Sequence, residues 1–121
     1  MKIINPATEE LIKEVEEDDH TSLIAKFQLL KQAQYEWAQV SLIERIKILN
    51  NFSNLLEKNI EFLSALLSSE MGKPLQQSRN EINGGRTRIK WLTANAEKYL
   101  SEEWMVQEGN IKEKIVYEPL G

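Results

Sequence analysis

The chain has 121 residues, a formal net charge of −4 and a hydrophobic fraction of 41%, which is the composition of a globular segment with one modest core. Acidic and basic residues are interspersed without a basic stripe, which argues against a nucleic-acid partner, and no apolar run approaches the roughly 20 residues of a membrane span. Met1 leads into a turn without an apolar leader segment, so a cytoplasmic location is expected. There are no cysteines, so these residues hold no disulfide, thiolate metal site or cysteine nucleophile.

A β-hairpin is predicted at the start of the chain. Ile3 and Ile4 precede residues 5–8, Asn-Pro-Ala-Thr, in which Asn at the first position and Pro at the second suit a type I turn. Residues 11–15, Leu-Ile-Lys-Glu-Val, then supply the second short strand.

Three helices with apolar residues spaced three and four apart are predicted next. Thr21 or Ser22 can cap the first, Ser41 with Glu44 can form a capping box at the second, and Asn59 opens the third. The three apolar stripes are Leu23, Phe27, Leu30, Ala33 and Trp37; Leu42, Ile46, Leu49, Phe52 and Leu56; and Ile60, Leu63, Leu67 and Met71.

A tight turn separates the third helix from the fourth and longest, which is predicted over roughly residues 75–100. Gly72 suits a left-handed C-cap, and Pro74 suits the first turn of the helix that follows. Gly84 and Gly85 lie in the middle of this helix, where they cost about 2 kcal/mol relative to two alanines. We therefore expect either a close approach of another backbone or space kept for another group.

The last segment returns to β structure. Residues 105–108 and 111–118 flank Gly109-Asn110, a two-residue hairpin signal. The predicted fold class is therefore α+β, with a β-hairpin, four helices and a second β-hairpin.

No motif in the chain defines an active site. His20, the only histidine, follows Asp18 and Asp19 and could join them at a metal, but such charged runs are usually solvated loops, which is the interpretation we prefer. Residues 72–73, Gly-Lys, lack the spacing of a phosphate-binding loop. Residues 84–87, Gly-Gly-Arg-Thr, lie within a helix rather than between a strand and a helix, so they are no dinucleotide fingerprint.

Five motifs occur in order along the chain: Asn5-Pro6-Ala7-Thr8-Glu9; Trp37 with Ser41, Glu44-Arg45, Ile48-Leu49 and Leu56; Glu70-Met71-Gly72-Lys73-Pro74; Glu81-Ile82 with Trp91; and Tyr117-Glu118-Pro119-Leu120-Gly121. Together they resemble the N-terminal quarter of the NAD(P)-dependent aldehyde dehydrogenases, nearest the succinate-semialdehyde dehydrogenase branch. One departure is the absence of the family's glycine after the opening Asn-Pro-Ala-Thr, where Glu9 or Glu10 stands instead.

The resemblance implies a parent enzyme that oxidises succinate semialdehyde or a similar small aldehyde to the acid with NAD or NADP. In such enzymes a cysteine thiolate forms a thiohemiacetal, hydride passes to the nicotinamide, and a glutamate-activated water hydrolyses the thioester. The family places the cysteine, the glutamate, the oxyanion-stabilising asparagine and the cofactor contacts beyond residue 121. We therefore assign no catalytic or cofactor-binding residue here, and expect the 121 residues alone to be inactive and to bind no cofactor.

The resemblance also implies a few supporting roles. The backbone carbonyl of Ile4 and the carboxylate of Glu70 would hold a monovalent cation, unless Glu70 is simply a surface acid at a helix end. Glu81, Gly85 and Arg88 would line the substrate tunnel. Gly85 would be small either to leave room for substrate or to let two helices pack closely.

The resemblance implies three regions: residues 1–100 as the N-terminal hairpin and helices, 101–117 as an oligomerisation-arm hairpin, and 118–121 as the entry to the cofactor domain. The expected partners are the remainder of the dehydrogenase chain and sister subunits of a homo-oligomer. An isolated segment would expose strand edges and apolar helix faces, so a marginal monomer or self-association is expected.

The residues leave two other functions to compare. One is a freestanding helical module that binds a protein partner without catalysis. The other is a small metal- or nucleotide-binding protein, which has no supporting motif.

Overall fold

The computed structural model describes residues 1–120 and confirms the predicted α+β class, with four helices between two antiparallel hairpins. Gly121, the last residue of the predicted entry to the cofactor domain, lies outside the described residues. The elements in chain order are β1 Lys2–Ile4, β2 Leu11–Glu14, α1 His20–Gln39, α2 Leu42–Lys58, α3 Ile60–Met71, α4 Leu75–Leu100, β3 Glu103–Glu108 and β4 Ile111–Ile115. None of these helices combines the length and the apolar character needed to cross a membrane.

The first hairpin pairs β1 with β2, with Ile3 opposite Lys13. Its turn is organised by the Asn5 side chain, whose Oδ1 accepts a hydrogen bond from the backbone N–H of Ala7 at 2.9 Å. Glu9 has a φ of 61°, which places it in the left-handed region that glycine adopts without steric cost. Glu9 therefore adopts the left-handed backbone conformation that the family's glycine would adopt at this turn.

The second hairpin pairs β3 with β4 and turns at Gly109, whose φ is 56°. Compared with the prediction, β3 begins earlier, at Glu103, and β4 ends earlier, at Ile115. The register shifts between Trp104 and Val106, as in a β-bulge. Each of the two sheets has two strands among residues 1–120, so all four strands present an open edge.

The predicted cap of the first helix was wrong. Asp19 is the N-cap of α1, and its Oδ1 accepts the backbone N–H of Ser22 at 2.7 Å. Asp and Ser have similar preferences for the N-cap position. Asp19 occupies it because its side chain reaches the backbone N–H three residues later. His20 consequently begins the helix, so its predicted place in a loop was wrong.

The other caps follow the sequence more closely. Ser41 and Glu44 form the predicted capping box, with the Glu44 backbone N–H donating to Ser41 Oγ at 3.2 Å. Asn59 precedes α3 as predicted, but its Nδ2 donates to the carbonyl of Leu55 at 2.8 Å, so the side chain terminates α2 instead of capping α3. Pro74 is the N-cap residue of α4 rather than its first helical residue.

The helices form an incomplete layer in which α4 packs against α2 and α3. Contacts of α1 and of both hairpins with this layer are sparse. Within residues 1–120 no hydrophobic side chain is buried, and the two fully buried residues are Ser64 and Ser78. The composition is sufficient for a core, but a single helical layer leaves the outer side of each apolar stripe uncovered.

Candidate functional site

The turn between α3 and α4 connects two distant parts of the sequence. Gly72 ends α3 in the left-handed conformation, with a φ of 67°, as predicted, and its N–H donates to the carbonyl of Ser68 at 2.9 Å. A Cβ on Gly72 would lie 2.8 Å from Cγ of Pro6. The turn of the first hairpin therefore rests directly on the turn that follows α3.

This contact bears on the predicted cation site. Ile4 lies two residues before Pro6, and the half-buried Glu70 lies two residues before Gly72, so the Pro6–Gly72 contact brings their two segments to the same end of the helical layer. One carbonyl and one carboxylate are oxygen ligands of the kind that hard cations prefer. The assignment of Ile4 and Glu70 stays a prediction.

The next residue of the turn makes an ion pair with α4. Lys73 Nζ donates to Glu81 Oε2, and the Lys73 side chain is about three-quarters covered. The pair ties the turn to the second turn of α4 and compensates the charge of Glu81. Its attractive energy is moderated by water, because the Glu81 side chain is largely exposed.

The three predicted tunnel residues lie along one face of α4. Glu81, Gly85 and Arg88 are spaced four and three residues apart, which aligns them on a helix surface. A Cβ on Gly85 would meet no heavy atom within 4 Å, and the same holds for Gly84. No other helix of the described residues packs closely against Gly84 or Gly85, so close packing between these helices is wrong as the explanation for the two glycines. Space kept for another group stays the prediction.

Sequence reasoning missed the polar seam between α4 and the two preceding helices. Arg79 donates from Nε and Nη2 to the Glu61 carboxylate at 3.0 and 2.6 Å, and Arg86 Nη2 lies 2.7 Å from Glu57 Oε1. The hydrogen bonds between Arg79 and Glu61 lower the pKa of Glu61 and raise the pKa of Arg79. No local pattern indicates these two pairs, because each depends on how α4 packs against a separate preceding helix.

Small side chains let α3 and α4 approach each other closely. The hydroxyls of Ser68 and Ser78 lie 2.9 Å apart and share a hydrogen bond. Ser64 is fully buried, and its Oγ has no hydrogen-bond partner among the described residues. The seam is therefore a structural crossing built from serines and ion pairs, rather than a group of convergent reactive side chains.

An apolar groove of about 400 Å³ lies between α2 and α4. Leu42, Ile46 and Leu49 line it from α2, and Trp91, Ala96 and Tyr99 line it from α4. The rings of Trp91 and Tyr99 stack with their centroids 6.2 Å apart. Walls of this kind suit an apolar surface, because they offer no cluster of polar groups to bind or activate a small polar molecule.

Arg45 also lines this groove. Its Nε donates to the carbonyl of Val40 at 2.8 Å, and its guanidinium lies 5.7 Å from the centre of the Trp37 ring. Gln34 of α1 donates a hydrogen bond to the carbonyl of Pro119 at 3.2 Å. The C-terminal segment is thus hydrogen-bonded to α1.

The chain belongs to the aldehyde dehydrogenase family, since the family model of that description matches residues 1–121. It is 29% identical over 114 residues to 3,6-anhydro-α-L-galactose dehydrogenase of Vibrio sp. strain EJY3, covering 94% of this chain and 23% of that protein. It is 24% identical over 119 residues to a probable NADP(+) succinate-semialdehyde dehydrogenase of Sinorhizobium fredii, covering 98% of this chain and 24% of the relative.

The fold agrees with solved structures of the family. The crystal structure of an aldehyde dehydrogenase from Brucella melitensis biovar abortus matches with a TM-score of 0.81 and 26% identity, covering 90% of this chain and 22% of that one. This chain therefore spans about a quarter of the length of the relatives that it matches. The two hairpins and four helices are one part of the aldehyde dehydrogenase fold.

Proposed function

We propose that this chain is the N-terminal part of an NAD(P)-dependent aldehyde dehydrogenase that oxidises a small aldehyde, succinate semialdehyde or a similar one, to the carboxylic acid. The observation that carries the proposal is the family match along all 121 residues, joined to the fold likeness. The names of the relatives support this substrate class, since one is a 3,6-anhydro-α-L-galactose dehydrogenase and another is a probable succinate-semialdehyde dehydrogenase. A cytoplasmic location and a homo-oligomer belong to the same proposal.

The thiolate of the proposed reaction has to come from outside these 121 residues, because they contain no cysteine. The same holds in this proposal for the glutamate base and the contacts to NAD or NADP. Residues 1–100 would support the catalytic part of the enzyme, residues 101–117 would pair with a sister subunit, and residues 118–121 would lead into the cofactor domain. The chain alone would neither oxidise aldehydes nor bind the nucleotide.

Within that enzyme, Glu81, Gly85 and Arg88 would form one wall of the substrate tunnel. Lys73 neutralises Glu81, whereas Arg88 forms no ion pair within residues 1–120. A guanidinium on this face would favour an aldehyde that carries a carboxylate at its other end. This charge pattern supports a semialdehyde as the substrate class.

The first experiment is the intact mass of the native protein, with its reading frame sequenced past Gly121. The proposal expects a product longer than 121 residues that contains a cysteine. That product should form reduced nicotinamide from NAD or NADP when succinate semialdehyde is added, and the 121-residue chain should serve as the inactive control. A longer product without a cysteine, or one that forms no reduced cofactor with any aldehyde, would refute the dehydrogenase proposal.

The substrate proposal has its own test in the active enzyme. Arg88→Ala should raise the KM for succinate semialdehyde about tenfold or more and leave the KM for an uncharged aldehyde of similar length unchanged. Arg88→Lys should retain part of the preference, because the positive charge remains. An equal loss with both aldehydes would mean that Arg88 acts on the fold rather than on the substrate carboxylate.

We also propose that the Ile4 carbonyl and the Glu70 carboxylate hold a monovalent cation beside the Pro6–Gly72 contact. Replacing sodium by tetramethylammonium at constant ionic strength should lower the melting temperature of the protein. Glu70→Gln should abolish this dependence on the cation. A dependence that persists in Glu70→Gln would place the cation elsewhere or assign the effect to general screening.

A second candidate function is a freestanding helical module that binds a protein partner. The absence of buried hydrophobic side chains from residues 1–120 favours it, since a binding module exposes apolar surface. A native product that ends at Gly121 and captures a specific partner would support this alternative and exclude the enzyme.

A further inference from the structure

The turn before α4 holds one lysine in a fixed place. The Lys73 side chain is 24% exposed, whereas Lys26 and Lys114, which also form ion pairs, are 62% and 39% exposed. Its backbone is fixed on both sides, by the hydrogen-bonded C-cap Gly72 and by the N-cap Pro74. A lysine held in this way has lost much of the rotamer freedom that an exposed lysine gives up when it forms an ion pair. The Lys73 ammonium is therefore a well-placed positive charge at the start of α4.

Glu81, the partner of Lys73, has a second available partner further along α4. Seven residues are almost two full turns of an α-helix, so Glu81 and Arg88 lie on one face about 10 Å apart along the axis. Gly85 lies between them, and it has no side chain to separate them. Because Cα–Cβ bonds tilt toward the N-terminus of a helix, Arg88 leans toward Gly85 and Glu81. An extended glutamate and an extended arginine can meet across such a gap.

The structure shows which of the two cations Glu81 selects. Its Oε2 accepts a hydrogen bond from Lys73 Nζ, and Arg88 forms no ion pair within residues 1–120. Removing the Lys73 charge would leave the Glu81 carboxylate without its cation, and the nearest cation on the same face of α4 is Arg88. The Glu81 carboxylate would then compete with any other carboxylate for the Arg88 guanidinium.

We propose that Lys73 is a positioning residue for substrate specificity. By holding the Glu81 carboxylate, it keeps the Arg88 guanidinium available for the carboxylate of the aldehyde substrate. Lys73 itself does not touch the substrate in this arrangement. The inference rests on the proposed function, in which Glu81, Gly85 and Arg88 form one wall of the substrate tunnel.

The test compares two aldehydes of equal length in the full-length enzyme, succinate semialdehyde and the uncharged butanal. Lys73→Met should raise the KM for succinate semialdehyde about three- to fivefold, which is the effect of one exposed ion pair. The kcat and the KM for butanal should not change. Lys73→Arg should keep the wild-type KM, because an arginine can also hold Glu81. Lys90→Met is the matched control, since it removes a positive charge from the opposite face of α4, and both KM values should stay as in the wild type.

Two double variants show whether Lys73 acts through Glu81 and Arg88. Lys73→Met combined with Glu81→Gln should recover the wild-type KM for succinate semialdehyde, because no carboxylate is left to compete. In an Arg88→Ala background, Lys73→Met should raise that KM no further. If Lys73→Met loses its helical circular dichroism, Lys73→Gln replaces it in every comparison.

The outcomes separate this inference from the proposed function. A full-length wild type that oxidises no aldehyde would refute the dehydrogenase and this inference with it. In an active wild type, three results would overturn the role of Lys73 alone: an unchanged KM in Lys73→Met, an equal rise with both aldehydes, or a rise that persists in the Arg88→Ala background.

Discussion

Replacing Gly72 by alanine tests how the first hairpin is held against the helical layer. The backbone of Gly72 has a φ of 67°, which costs an alanine about 1–2 kcal/mol. The added Cβ would also lie 2.8 Å from Cγ of Pro6, well inside the optimal carbon separation of about 3.5–4.0 Å. Moving the two turns apart adds about 1–2 kcal/mol, as in other overpacked contacts.

The expected loss in the free energy of unfolding is therefore about 3 kcal/mol, which lowers the melting temperature by roughly 10 °C in a chain of this size. Urea and thermal unfolding followed by far-ultraviolet circular dichroism measure it. Pro6→Ala separates the two terms, because it removes the Cγ atom and leaves the backbone of Gly72 unchanged. In the Pro6→Ala background, Gly72→Ala should cost only the backbone part.

The double-mutant cycle should show a coupling of about 1–2 kcal/mol between positions 6 and 72. A coupling near zero would mean that the two turns do not touch in solution. A Gly72→Ala variant as stable as the wild type would refute both the contact and the left-handed turn.

Three other substitutions or conditions test the local reasoning. Glu9→Gly should raise the free energy of unfolding by about 0.5–1 kcal/mol, because Glu9 has a φ of 61° that glycine adopts freely. An unchanged urea midpoint would contradict the left-handed conformation of Glu9. Gly85→Ala should stabilise the chain by about 1 kcal/mol, because the new methyl group meets nothing within 4 Å and alanine favours the helix. In the active enzyme the same substitution should reduce turnover if Gly85 leaves room for substrate. The hydrogen bond from Arg79 lowers the pKa of Glu61 in the folded chain. The stability that this pair contributes is therefore fully present above the pKa of an unfolded glutamate, about 4.3. It is lost as the pH falls through the lower pKa of the folded state. Acid titration of Glu61→Gln should lack this component, and a profile identical to that of the wild type would disprove the linkage.

Features governed by a few neighbouring residues were predictable from the sequence. The Ser41–Glu44 capping box, the left-handed Gly72 and the span of α4 all depend on local hydrogen bonds and backbone preferences. The N-cap of α1 shows the limit of this reasoning. Asp19, Thr21 and Ser22 are all acceptable caps, and only the folded chain selects Asp19.

The candidate site depended more on distant contacts. Spacing along one helix was enough to place Glu81, Gly85 and Arg88 on a common face of α4. It did not disclose that Lys73 compensates Glu81, because that pair depends on the direction in which α4 leaves the turn. The approach of Pro6 to Gly72 joins residues far apart in the sequence, and no local pattern indicates it.

By itself the sequence determined the order and type of the elements, since hydrophobic spacing, caps and turn residues act over a few positions. The tertiary structure decided what those elements bury. The apolar stripe of α1, with Leu23, Phe27 and Leu30, predicts a covered helix face, yet these side chains are exposed. A stripe specifies only that a face is apolar. Whether that face is covered depends on surfaces that other parts of the fold or another chain must supply.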